Sequence, residues 1–163
     1  MSGAADVHKA VASLWEDEGL DTKFKSYWSV ADQTRFTSLN DGQAPPNQPF
    51  PYCVFESTSP DIVTRMSADG SNKRYVNDNP WTFFVYAKQT DVLTAKEFAI
   101  ALANEILKVF GGHPTQAPAS LPELDNGSIV IIQYRSDYGE RQADDIHLWT
   151  VEYNIRTDVP VTV

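Results

Sequence analysis

Apolar residues recur at helical spacing near both ends of the first hundred positions and at strand spacing between and after them. Val7, Val11, Leu14 and Trp15 fall at i, i+4, i+7 and i+8, which predicts a helix over about Asp6–Glu18. Asp6 suits its N-cap, and Gly19 suits the residue just past its end. Leu20, Phe24, Tyr27 and Trp28 continue at rougher helical spacing. The clearest helix spans about Thr94–Phe110, where Phe98, Leu102, Ile106, Val109 and Phe110 share one face. Thr94-x-x-Glu97 opens it as a capping box, and Gly111-Gly112 closes it.

Strand signals fill the rest. Tyr52–Glu56 is a short apolar run, and Asp61–Met66 alternates. Asp69-Gly70 marks a turn before Lys73–Val76, so a hairpin arm is expected there. Asn77-Asp78-Asn79-Pro80 reads as a break. In Trp81–Lys88, Trp81, Phe83, Val85 and Ala87 face one way and Thr82, Phe84, Tyr86 and Lys88 the other. Both faces are partly apolar, which predicts a central strand. Ser128–Arg135 and Ile146–Arg156 follow, with Ser136–Asp145 as a solvent-exposed tip and 158–163 as a flexible tail. Two proline-rich stretches, 38–51 and 111–127, read as extended connections. The resulting order, α-β-β-β-α-β-β, predicts an α+β fold with helices packed on an antiparallel or mixed sheet, in a single domain over residues 1–163.

Composition narrows the chemistry. Among 163 residues, 42% are hydrophobic, and 13 basic against 22 acidic side chains leave a net charge of −9. That balance disfavours loading onto nucleic acid through bulk charge. The longest apolar stretches are far too short for a bilayer span, and Met1–Asp6 has no signal-peptide pattern. A lone cysteine, Cys53, rules out an internal disulfide framework and fits a reducing compartment. It sits mid-strand between Tyr52 and Val54, where a buried thiol is the ordinary reading.

No catalytic pattern emerges. His8, His113 and His147 stand far apart without a metal-ligand partner, so neither a metal nor another cofactor is expected. His147 beside Asp144 and Asp145 reads as polar residues at a strand entrance. Gly70–Arg74 lacks the phosphate-loop pattern. Arg65, Lys73, Arg74 and Tyr75 form a small basic patch with one aromatic, suited to a solvated tip or to docking on an acidic neighbour. Aromatics make up 12% of the chain, more than a domain of this size ordinarily hides, and Trp and Tyr are enriched at interfaces.

Three segments together carry a resemblance. They are Pro51-Tyr52-Cys53-Val54-Phe55 after its proline-rich lead, Trp81–Lys88 followed by the helix Thr94–Phe110, and a closing hairpin from Tyr134-Arg135-Ser136-Asp137-Tyr138 to Ile146–Arg156. In that combination, over about Pro49–Thr157, the chain resembles the tail terminator (tail completion or neck) proteins of long-tailed bacteriophages. The resemblance implies a non-enzymatic virion protein, assembled in the host cytoplasm. Its hexameric ring stops tail-tube polymerisation and presents the head-joining surface. Implied partners are further copies of itself, the tail tube protein and a head–tail connector or stopper, with no membrane. DNA passes the lumen without specific binding, and six copies at −9 each carry −54. The interface candidates are Arg65, Met66, Lys73, Arg74 and Tyr75 on the arm toward the tube, and Ile100 and Leu107 on the second side of the long helix, a side suited to a neighbouring subunit or to the protein's own sheet. Tyr138, Trp149 and Tyr153 on the closing strands complete them. The alternatives are a connector or stopper on the portal side of the neck and, more distantly, a small oligomeric ligand-binding module.

Overall fold

The computed structural model describes residues 3–57, 61–68, 72–119 and 130–161, with side chains placed outside 3–6, 61–76, 130–131 and 158–161. The α+β expectation holds. In chain order the elements are α1 (Gly3–Asp17), α2 (Leu20–Lys25), α3 (Val30–Arg35), β1 (Leu39–Asp41) and β2 (Tyr52–Ser57). Then come β3 (Asp61–Ala68), β4 (Asn72–Lys88), α4 (Ala95–Phe110), β5 (Val130–Ala143) and β6 (Ile146–Val161). The strands form one mixed sheet in the order β1-β2-β4-β6-β5, with β3 also paired to β4. Only the β1–β2 pair is parallel among the described strands. No helix among the described residues is long and apolar enough to cross a membrane.

The apolar stripes predicted for the two main helices are the faces that pack on the sheet. Val7, Val11, Leu14 and Trp15 of α1, and Phe98, Leu102, Ile106, Val109 and Phe110 of α4, join Trp81, Phe83 and Val85 of β4 in one core. Val151, Tyr153 and Ile155 of β6 complete it. Phe83 lies centrally, with ring centroids of Trp15, Phe110 and Tyr153 at 5.8, 5.0 and 5.9 Å. Each such aromatic contributes roughly 1.5–3 kcal/mol by burial alone. Thr94 caps α4, its hydroxyl accepting from the Glu97 backbone N–H at 3.2 Å. Gly19 takes φ 80°, the left-handed turn that lets the chain swing from α1 into α2.

Five expectations change. Residues 77–80 do not break the chain, because β4 runs unbroken for 17 residues. Asp78 sits opposite Arg156 and accepts two hydrogen bonds from its guanidinium, at 2.7 and 3.0 Å. The Asn79 amide donates to the Ile155 carbonyl at 2.8 Å. Pro80 falls where one flank of β4 changes partner, β2 pairing with residues 81–86 and β3 with 72–78. A residue without an N–H costs least at such a gap.

The 38–51 stretch is not merely an extended connection. Ser38 and Gln48 are buried, and Leu39–Asp41 adds a strand to β2. Trp15 and Trp28 tie the stretch down by donating to the Ser38 hydroxyl at 3.0 Å and the Pro51 carbonyl at 2.9 Å. The predicted tip over 136–145 shrinks, since β5 and β6 stay paired as far as Ala143↔Ile146. Residues 158–161, expected to belong to a flexible tail, are strand paired to β4. The helix start also moves, leaving Asp6 inside α1 rather than at its cap. The Asp69-Gly70 turn and residues 120–127 of the second proline-rich stretch lie outside the described residues.

Candidate functional site

Side chains directly opposite one another on neighbouring strands share a face, so the register resolves the sheet into rows. Toward the helices run Cys53, Val85, Trp149 and Gly139, then Phe55, Phe83, Val151 and Asp137. Away from them run Tyr52, Tyr86, Leu148 and Glu140, then Val54, Phe84, Thr150 and Tyr138, then Glu56, Thr82, Glu152 and Ser136. This second face is apolar at its centre and acidic at its margins.

Geometry gives it a shape. Tyr52, Val54, Phe84, Tyr86 and Leu148 floor an open hollow of about 440 Å³, with the 42–44 turn as one wall and Glu56 at its end. The Tyr52 and Tyr86 rings stack at 5.0 Å and 18°, and Phe50 extends the row, 5.1 Å from Tyr52. Burial raises the pKa of both tyrosines above the ordinary phenol value. The nearby Glu56 and Glu140 charges push Tyr86 further in the same direction. Tyr138, 51% exposed, donates to Glu152 at 3.1 Å, and Ser136 donates to the other carboxylate oxygen at 2.9 Å. The face therefore offers flat aromatic area with Glu56, Glu140 and Glu152 on its margins and the Lys88 ammonium at one end, 6.0 Å from the centre of the Phe50 ring. Such a surface takes apolar groups and cations, the latter through both ring faces and charge.

The interface candidates divide by position. Arg65, Met66, Lys73, Arg74 and Tyr75 lie on β3 and the first part of β4, where Arg65 stands opposite Tyr75 and Met66 opposite Arg74. Their side chains fall outside the described residues. Tyr138 is on the acid-rimmed face. Trp149 is on the helix side, half-buried, its indole donating to Asp137 at 2.8 Å. Asp137 also accepts from Tyr134, which pushes that phenol up to about 12. Ile100 is half-buried on α4.

Leu107 and Tyr153 are core residues instead, 4% and 1% exposed. The Tyr153 hydroxyl donates to the Gly111 carbonyl at 2.8 Å inside the chain, so neither side chain is presented to a partner. Tyr52, Phe84 and Tyr86 were not among the candidates. Their signal is present in the alternation of Trp81–Lys88, whose second face is also apolar.

The remaining chemistry is quiet. Cys53 is fully buried, and burial pushes its thiol well above the ordinary value, away from the reactive thiolate. Near His147, Asp144 pairs with Arg141 and Asp145 with Lys88 at 3.6 Å. Burial and then the Lys96 charge lower the His147 pKa, favouring the neutral ring. Among the described residues, no three His, Cys, Asp or Glu side chains are grouped to hold a metal ion. No protein-family model matches the chain, and no curated protein matches it.

Proposed function

We propose that this chain is a structural, non-enzymatic subunit of a long-tailed bacteriophage virion: a tail terminator whose ring caps the tail tube and forms the head-joining surface. The observation that supports the reading most is a sheet that, among the described residues, packs its helices on one side, with an aromatic opposite face. A face of that kind is suited to burial between protein subunits. Strands β3, β4 and β6 add an arm, paired from Asn72–Asp78 outward, beyond the segment where β2 meets β4.

Termination on this reading is competition for a surface. The ring occupies the end of the last tube layer, so further tube subunits cannot add. Copies associate head-to-tail and close into a ring when their rotation divides the circle. The arm is required for capping. Deleting Ser67–Arg74 leaves a folded protein that no longer caps tubes, and normal tail lengths from that variant contradict the reading. Reconstitution with a portal adaptor checks the layer: binding there, and not at the tube end, makes the chain a stopper.

A further inference from the structure

We infer that the acid-rimmed aromatic face of one copy receives the basic β3–β4 arm of the next copy. The inference deepens the ring reading and rests on it. Three observations lead to it.

Charge is the first. Most described basic side chains are already paired within the chain: Lys23 and Lys108 with Glu105, Lys25 with Asp21, Lys88 with Asp145, Arg141 with Asp144 and Arg156 with Asp78. Arg65, Lys73 and Arg74 lie within ten sequence positions that hold a single acid, Asp69. This is a local excess of cations in a chain of net charge −9. The hollow is bounded by Glu56, and Glu140 stands at the β5 end of the Tyr52–Tyr86–Leu148 row. A segment rich in cations and a face bearing Glu56 and Glu140 are thus complementary in sign.

Chemistry is the second. A floor of stacked tyrosines with Phe84 accepts the aliphatic stem of Arg or Lys, while the carboxylates meet its head.

Reach is the third. Arg74 and Tyr86 sit on the same strand, 12 residues apart, a separation of roughly 40 Å at about 3.3 Å per residue. A strand held in pairing on both sides cannot fold back over that distance, so the chain cannot fill its own face with its own arm. The occupant we infer is therefore the arm of another copy. One arm and one face per copy make a heterologous, head-to-tail contact. The arm then lies between subunits, and deleting Ser67–Arg74 removes assembly before it removes capping.

Sedimentation velocity of the full-length protein tests this without any tail tube. The wild type assembles beyond the monomer at low salt, and assembly weakens as salt rises. The pair Glu56→Lys with Glu140→Lys, and separately Lys73→Glu with Arg74→Glu, each weaken assembly about tenfold or more with unchanged circular dichroism. Mixing the two reversed proteins restores association, because each then meets its complement. If a reversal disturbs the fold, Glu140→Gln and Arg74→Gln carry the same comparison. A wild type that stays monomeric, or reversals that leave the assembled mass unchanged, overturns the inference, the latter pointing to a different occupant of the face. If tubes are still capped after either result, the docking is wrong and the terminator reading stands.

Discussion

On β4, Phe83 points to the helices and is fully buried, while Phe84 points to the opposite side and is half-buried between Val54 and Thr150. The two residues have the same chemistry and adjacent positions. What separates them is the other layer. Phe83 meets rings from α1, α4 and β6, whereas Phe84 floors an open hollow whose margins are charged. A core is defined by what closes over it; on the second face Val54, Leu148 and Thr150 are buried among larger neighbours, while Tyr52, Phe84 and Tyr86 stay half-buried along the hollow.

That contrast sets the largest expected effect. Phe83→Ala costs about 3–5 kcal/mol in urea denaturation, the range for a truncated core phenylalanine. Phe84→Ala costs well under half of that, yet weakens self-association where Phe83→Ala acts on folding. Equal stability losses at the two positions would erase the distinction between the faces.

Next in size is the helix-side row at its β5 end. A Cβ on Gly139 comes within 2.2 Å of the Trp149 ring and 2.8 Å of the His147 Nε2 atom. Gly139→Ala therefore displaces the indole and its bond to Asp137, costing about 1–3 kcal/mol with a shift in tryptophan fluorescence. An unchanged spectrum and midpoint would show that the ring does not lie over that glycine.

Smaller still are the terminal and surface terms. Thr94→Ala removes the cap of α4 at about 1 kcal/mol, read from the denaturation midpoint. Asp78→Asn removes a half-exposed cross-strand ion pair, worth about 1 kcal/mol or less after solvent screening. Hydrogen bonding from Arg156 holds the Asp78 carboxyl below its ordinary value, partly offset by burial. Its stabilisation is accordingly complete above the ordinary carboxylate pKa and is lost as pH falls through the lowered folded value. The gap between wild type and Asp78→Asn, measured in urea at a series of pH values, closes in acid. A gap that widens in acid would contradict the pairing.

The sequence carried the helix-side half of this molecule plainly. The stripes of α1 and α4 and the alternation of Trp81–Lys88 named more than half of the core, because period and burial coincide there. It was less clear wherever a tertiary partner overrides a local preference. Asn77-Asp78-Asn79-Pro80 has the composition of a turn, and only the pairing with Arg156 and the Ile155 carbonyl makes it strand. Leu39–Asp41 becomes a strand through the neighbouring β2, a nonlocal pairing that three residues cannot announce. Tyr153 and Leu107 looked available to a partner because residue type alone does not say which way a side chain turns. Conversely, Tyr52 and Tyr86 belong to one surface only through a register 34 positions long in sequence, from strand β2 to strand β4. The arm was legible as a basic segment, and its candidate acceptor was not.

Negative-stain microscopy of the purified protein with and without tail tubes bears most directly on the central claim. A structural ring subunit gives annular particles seated on tube ends, and tubes so capped stop growing. Single, compact monomers that ignore tubes and leave their growth unaltered would contradict it.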